Sequence, residues 1–287
     1  MSAAIVLALV SAVCYGLGLT FTQIGLRDVP PASGAAISIP SSALLFAVVA
    51  PFWITTDAID ATAVLIFAGV GLMFPAAATL ITFESNRALG PVITGSLGNL
   101  APLFAVVLAF AILGEPLHLS QIAALIVILA GVLALTAARP GAAGRLGAWY
   151  LALPLIAAAL RGLVQPVVKL GLAHWPSSFA AALIGYVVSA AVVIVALRLR
   201  TGRWRPDAPR RGALWFSAVG VVNGLAVLLM YAALTRGPVA LVAPLVATYP
   251  LVTVAASALV LHKVDLRPRM IAGAALTVVG VVLLLAT

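Results

Sequence analysis

Acid is almost missing from this chain: seven Asp and Glu stand among 287 residues, and all charged types together make up 8%. A soluble domain carries about a quarter of its residues as charged types, so a water-exposed globule is excluded. Histidine is as scarce, with His118, His174 and His262 scattered at the ends of apolar runs. No HExxH or carboxylate pair accompanies them, and no glycine loop is placed for a nucleotide phosphate. The clustered acids, bases or metal ligands of an intramembrane enzyme are therefore lacking. Cys14 is the single cysteine, which rules out an intramolecular disulfide and a cysteine metal cluster. No cofactor is expected.

What fills the chain is apolar: 64% hydrophobic residues and a mean hydropathy of +1.24. Runs bounded by charge, Pro and Gly predict spans near 3–25, 32–54, 61–84, 91–113, 119–137, 148–172, 178–198, 212–234, 238–261 and 268–286. The expected fold is an all-α integral membrane protein of ten transmembrane helices in one membrane domain. No basic region precedes the first run, so it reads as a retained span and not a cleaved signal.

The halves repeat. A shift of 146–149 residues brings Gly16 onto Gly162, Gln23 onto Lys169, Gly25 onto Gly171, Pro102 onto Pro250 and Gly131 onto Gly280. Each half has five spans, an odd number, so the second copy, 144–287, is expected to run inverted to the first, 1–143. Inverted repeats of this kind place a substrate site between the halves near the midplane, around a central cavity.

Basic residues set the expected orientation. The odd-numbered connections hold Arg27, Arg87, Arg139, Arg145, the six arginines from Arg198 to Arg211, Lys263, Arg267 and Arg269; the even-numbered ones hold only Arg236. The positive-inside rule puts the odd connections in the cytoplasm and both termini outside. The net charge of +9 is thereby explained by lipid and orientation, and a nucleic-acid partner is set aside. The stretch RLRTGRWRPDAPRR reads as a topology anchor on a solvated loop.

The sixth span carries Arg161, Gln165 and Lys169. Steps of four residues keep the three within about 80° of one another, one polar stripe on an apolar helix. A basic residue at mid-membrane costs roughly 2.5–3.5 kcal/mol on insertion scales, so Arg161 is expected to face a water-filled cavity or a partner such as Glu84. Lys169, near the span end, either belongs to the site or snorkels to the headgroups.

Several segments resemble the drug/metabolite transporter superfamily, in particular the ten-helix EamA-like permeases. They are AVCYGLGLTFTQIGL and AALRGLVQPVVKLGL in helices 1 and 6, MYAALTRGPVALVAPLVATYPLVTVAASALVL in helices 8 and 9, and LGNLAPLFAVVLAFAILGEPLHLSQIAALIVILAGVLAL in helices 4 and 5. The chain departs from the family at Tyr15 and Arg161, where Trp is usual in helix 1, at Lys263, where the first half has Glu115, and at Glu84, an aromatic family position opposite Tyr231. The family is commonly described with cytoplasmic termini, the reverse of the charge count.

The resemblance implies an alternating-access permease of the inner membrane, exporting small metabolites through a cavity lined mainly by helices 1, 3, 4, 6, 8 and 9, with 5 and 10 outside. Amino acids lead as substrates; other organic anions, nucleosides and drugs are the alternatives. Arg161 suits a carboxylate, with Gln165 donating one turn along. Asn99, Tyr231, Tyr249 or Glu84 would accept from an ammonium. Tyr15, Gln23, Ser96, Asn223 and Thr248 complete the candidate set. Asn99 and Asn223 also fit interhelical bonds, and Tyr186, Trp53, Trp149, Trp175 and Trp215 fit interface anchors. Energy coupling is open: Glu84 is the best-placed proton carrier, Glu115 the next, and a facilitator without an ion fits equally. A monomer is expected to be complete.

Overall fold

The computed structural model describes residues 2–54, 59–136, 148–261 and 268–286. Every regular element among them is helical: α1 (Ser2–Gly25), α2 (Pro31–Trp53), α3 (Ala61–Gly71) running through a π turn (Leu72–Ala77) into α4 (Ala78–Gly98), α5 (Ala101–Leu113), α6 (Leu119–Thr136), a short 3-10 turn (Ala148–Leu151), α7 (Ala152–His174), α8 (Ser178–Thr201), α9 (Arg210–Leu234), α10 (Val239–Val246), α11 (Tyr249–Leu261) and α12 (Pro268–Leu285). Local chemistry sets several boundaries. Asp60 caps α3 through the Ala63 N–H at 2.8 Å, and Ser177 caps α8 through that of Ala180 at 3.1 Å. Gly114 closes α5 in the left-handed region at φ 65°. Seven helical stretches are long and apolar enough to cross a membrane and three shorter apolar helices accompany them, which makes the ten spans of a multi-pass membrane protein.

Three spans are not simple rods. The third bends at Phe74, whose φ of −147° and ψ of 134° are extended, ahead of Pro75. Helix α4 carries residues of the third and fourth spans together, and one contact shows how. The hydroxyls of Ser85 and Thr94 lie 2.7 Å apart, whereas nine residues of straight helix advance about 13.5 Å. The chain therefore folds back between them, where the turn between spans was expected. The fourth and ninth spans break at corresponding places: α4 gives way to α5 at Asn99–Leu100, and α10 to α11 at Ala247–Thr248.

The two halves repeat each other's contacts. A Cβ built on Gly162 of α7 would stand 2.5 Å from Phe104 Cβ and 2.7 Å from the Ala101 carbonyl of α5; one built on Gly16 of α1 would stand 2.6 Å from Val252 Cβ and 2.8 Å from the Tyr249 carbonyl of α11. Gly71 abuts the carbonyl of Gly185, and Gly220 abuts that of Ser38. The hydroxyl of Ser189 donates to the Gly71 carbonyl at 2.5 Å, and that of Ser42 to the Gly220 carbonyl at 2.6 Å. In each couple the two contacts are related by the sequence shift of 146–149. Association in lipid gains little from burying apolar surface, so small residues and hydroxyl–carbonyl bonds must hold the helices together. The domain boundary expected at 143/144 lies outside the described residues.

Helices α6 and α12 pair off to one side. A Cβ on Gly131 would meet Thr277 N at 2.5 Å and the Gly273 carbonyl at 2.8 Å, and one on Gly280 would meet Ile128 N at 2.8 Å. The apolar core is densest toward the end that carries the even-numbered connections, called here the even end. There Phe67 stacks with Trp175 at 6.4 Å, and Phe46 and Trp53 flank Phe179 at 5.6 and 5.8 Å. Trp175 and Tyr186 are buried, so packing and not the interface sets them, whereas Trp53 and Trp149 are exposed. At Gly131 the obstacle is backbone and cannot swing aside. Gly131→Ala is expected to lower stability by about 1–3 kcal/mol. Gly69, with nothing within 4 Å, should accept alanine with a gain of about 0.5–1 kcal/mol. Thermal unfolding of the purified protein in detergent separates the two.

Candidate functional site

A cavity of about 410 Å³ lies between the halves. It runs from the centre to the odd end, where Leu26, Pro31, Phe83 and Phe216 border it. Toward the even end the wall stops at Tyr15, Ser42, Gln165, Met230 and Ala243. Helices α1, α2, α4, α7, α8, α9 and the broken pairs α4/α5 and α10/α11 all contribute, while no described residue of α6 or α12 does. Two spans more than expected therefore reach the wall: the second through Ala35, Ser38 and Ser42, and the seventh through Tyr186. The small residues and hydroxyls of PASGAAISIPSS were the available signal.

Arg161 stands on this wall in the middle of α7. Its Nη2 donates to Thr82 Oγ1 at 2.8 Å. That hydroxyl spends its own proton on the Ala78 carbonyl at 2.6 Å, so its lone pairs face the guanidinium. Thr82 and not Glu84 is thus the partner. Gly98, at the end of α4, lies alongside: a Cβ there would be 3.4 Å from Arg161 Nη1. No carboxylate pairs with Arg161 among the described residues.

The break in the ninth span places Tyr249 at the start of α11, and its hydroxyl donates to Asn99 Oδ1 at the break in the fourth span, 3.0 Å away. Tyr15 faces Tyr249 with ring centroids 6.3 Å apart. The two broken helices are thereby joined across the cavity. Gln165 is 7% exposed, and its Oε1 has no hydrogen-bond partner. Asn223 Oδ1 is likewise unpartnered, wedged against Gly18 of α1.

Of the expected residues, Tyr15, Asn99, Arg161, Gln165, Asn223 and Tyr249 line the cavity together. Four lie off it. Tyr231 is 2% exposed in the core of α9. Gln23 sits on the exposed face of α1. Thr248 turns its hydroxyl back to the Leu245 carbonyl at 2.7 Å, satisfying an acceptor freed by the break. Glu84 pairs with Arg200 at 3.1 Å near the odd end. The side chain of Ser96 lies outside the described residues. Thr82 and Thr79 were missed, although their spacing of three on one helix face marks a second polar stripe.

Tyr249→Phe removes a donor that bridges the two breaks. It should lower the unfolding free energy by about 0.5–1.5 kcal/mol, read by thermal unfolding in detergent.

The EamA-like transporter family model matches the chain twice, over residues 2–137 and 147–286. No curated protein matches it. A solved structure described only as "Crystal structure of protein" superposes with a TM-score of 0.79 at 20% identity, covering 99% of this chain and 96% of its own, which shows a shared fold. Two inverted five-span halves, each matching the same model and enclosing one cavity, make the chain a member of the EamA-like transporter family, a multi-pass membrane transporter of small molecules.

Proposed function

We propose that the protein is an alternating-access exporter of small carboxylate-bearing metabolites, amino acids foremost, in the inner membrane of a bacterial cell. The observation that carries this reading is Arg161: a guanidinium on the cavity wall whose one neutral partner is Thr82 and which meets no carboxylate among the described residues. A cation held at low dielectric is stabilised by an anion that enters beside it. The helix breaks add to this. The N-termini of α5 and α11 and the C-termini of α4 and α10 all meet the cavity, offering partial positive charge to a carboxylate and carbonyl oxygens to an ammonium. The unpartnered Gln165 Oε1 suits the ammonium as well, since an unsatisfied buried acceptor costs about 1–3 kcal/mol that a substrate N–H would relieve. Leu19, Ile39, Phe83, Phe216 and Met230 form the apolar part of the wall, fit for an aliphatic or aromatic side chain.

The positive-inside count makes the odd end cytoplasmic, so the cavity stands open to the compartment from which an exporter loads. Neither Glu84 nor Glu115 lines the cavity, which favours a carrier without proton coupling. A facilitator is the proposed mode, with a monomer as the complete unit. A plain organic anion is the second reading, favoured because no acidic side chain among the described residues stands on the wall to receive an ammonium.

Counterflow of labelled amino acids and of simple carboxylates into proteoliposomes tests both readings. Arg161→Ala should cut amino-acid flux roughly 30-fold, the equivalent of about 2 kcal/mol for a lost charge-assisted hydrogen bond, while the variant elutes as a folded protein. Full flux in that variant sinks the carboxylate assignment. Flux of carboxylates without flux of amino acids selects the second reading. An imposed pH gradient should leave the wild-type rate unchanged.

A further inference from the structure

The even end of the cavity is shut by more than apolar packing. Lys169 Nζ lies 2.6 Å from Glu115 Oε1 and donates to the Gly237 carbonyl at 2.8 Å. The second carboxylate oxygen, Glu115 Oε2, accepts from the Val239 N–H at 2.8 Å. One ion pair thus ties together three elements: the last turns of α7, the chain just after α5, and the first residue of α10. Its side chains are 27% and 11% exposed, so water screens the pair only in part.

The geometry of each partner is set by the chain around it. Gly114 turns out of α5 with φ 65°, a conformation strained for any residue with a side chain, and delivers Glu115 directly after the turn. Val239 opens α10, where no side chain of its own helix caps the first N–H groups. Glu115 satisfies one of them and sits at the positive end of the helix dipole. Lys169 lies two turns beyond Arg161 on the same stripe of α7, about 12 Å along the axis.

The elements joined here are the ones that carry the cavity's central wall: α7 with Arg161 and Gln165, the α4/α5 break with Gly98 and Asn99, and α10 with Ala243 and Val246. To open the even end, α10 must part from α5 and α7, and that parting breaks both contacts that the ion pair makes to it, Lys169 Nζ to the Gly237 carbonyl and the Val239 N–H to Glu115 Oε2. We infer that Lys169 and Glu115 are the gate residues of transport, holding α10 against α5 and α7 so that the even end stays closed while the cavity is open at the odd end, and that their release of α10 is the step admitting the far side. The inference rests on the transporter reading for its purpose, and its geometry does not depend on the substrate.

A cysteine accessibility cycle tests it without any substrate. In a Cys14→Ala background, Leu241→Cys places a thiol on α10 two residues past the clamped Val239, at a site that is 5% exposed and off the cavity wall. The rate of its modification by a hydrophilic maleimide is read on purified full-length protein in detergent. Glu115→Gln and Lys169→Gln should each raise the rate roughly tenfold, because removing one partner of a partly buried pair weakens the closed state. The double variant should react no faster than the faster single one, since both remove the same interaction. Lys169→Arg, which keeps the charge, should stay near the parent rate and guards against a folding defect. Unchanged rates in both single variants overturn the gate, as does a double variant whose rate is the product of the two increases. Flux of amino acids is measured on the same variants. A thiol response without flux refutes the substrate, and flux without a thiol response refutes the gate.

Discussion

In hydrocarbon a backbone N–H or C=O has no water to turn to, so a transmembrane chain can interrupt its own helix only where protein groups or a wet cavity take up the freed bonds. That constraint organises this molecule. Its interruptions at Phe74–Pro75, Asn99–Leu100 and Ala247–Thr248 border one central space. The last two are repaired locally: Leu100 N bonds the Leu97 carbonyl at 3.1 Å, and Thr248 N bonds the Leu245 carbonyl at 3.2 Å, the same reverse turn in both halves. The remaining polarity of the broken ends is what the cavity presents to a solute. Arg161 is tolerated at mid-membrane because it faces this same space and Thr82 takes one of its donors.

The architecture was legible because its cause is periodic. The coincidences of Gly16 with Gly162, Gly131 with Gly280 and Pro102 with Pro250 read as duplication, and in the structure the glycines turn out to be the points where backbones cross most closely. A glycine kept at a crossing cannot drift without opening a gap or a clash, so it survives as a marker when the intervening apolar residues have exchanged freely. The stripe of Arg161, Gln165 and Lys169 was legible for a similar reason, since one helix fixes the angular relation of its own side chains.

What resisted reading is the rotation of each helix about its axis. Tyr231 and Asn223 share α9 and were weighed alike, yet one is packed in the core and the other touches the cavity. In a soluble helix the polar face declares itself; on a helix apolar all round, a single tyrosine does not say which neighbour it faces. Thr82 was overlooked because a threonine in such a helix ordinarily spends its hydroxyl on the carbonyl four residues back. It does so here too, and it accepts from Arg161 as well. The sequence could not show that one hydroxyl serves both.

An inverted repeat imposes geometric symmetry on the two ends of a transporter but leaves their chemistry free. The positions that correspond to Lys169 and Glu115 under the repeat are Gln23 and Lys263. Lys263 lies outside the described residues, but the residue types alone decide the point: glutamine and lysine carry no opposite charges, so the repeat does not reproduce this ion pair at the corresponding positions of the other end. A partly buried ion pair with two further hydrogen bonds differs from a neutral pairing by about 1–3 kcal/mol, which biases a two-state equilibrium roughly 5- to 150-fold. The state in which the cavity opens at the odd end is the one that this asymmetry favours. A carrier biased in this way waits open on the side where the basic connections lie and must break its clamp to deliver. Under the proposed gate, the direction of waiting depends on these two side chains and not on what occupies the cavity.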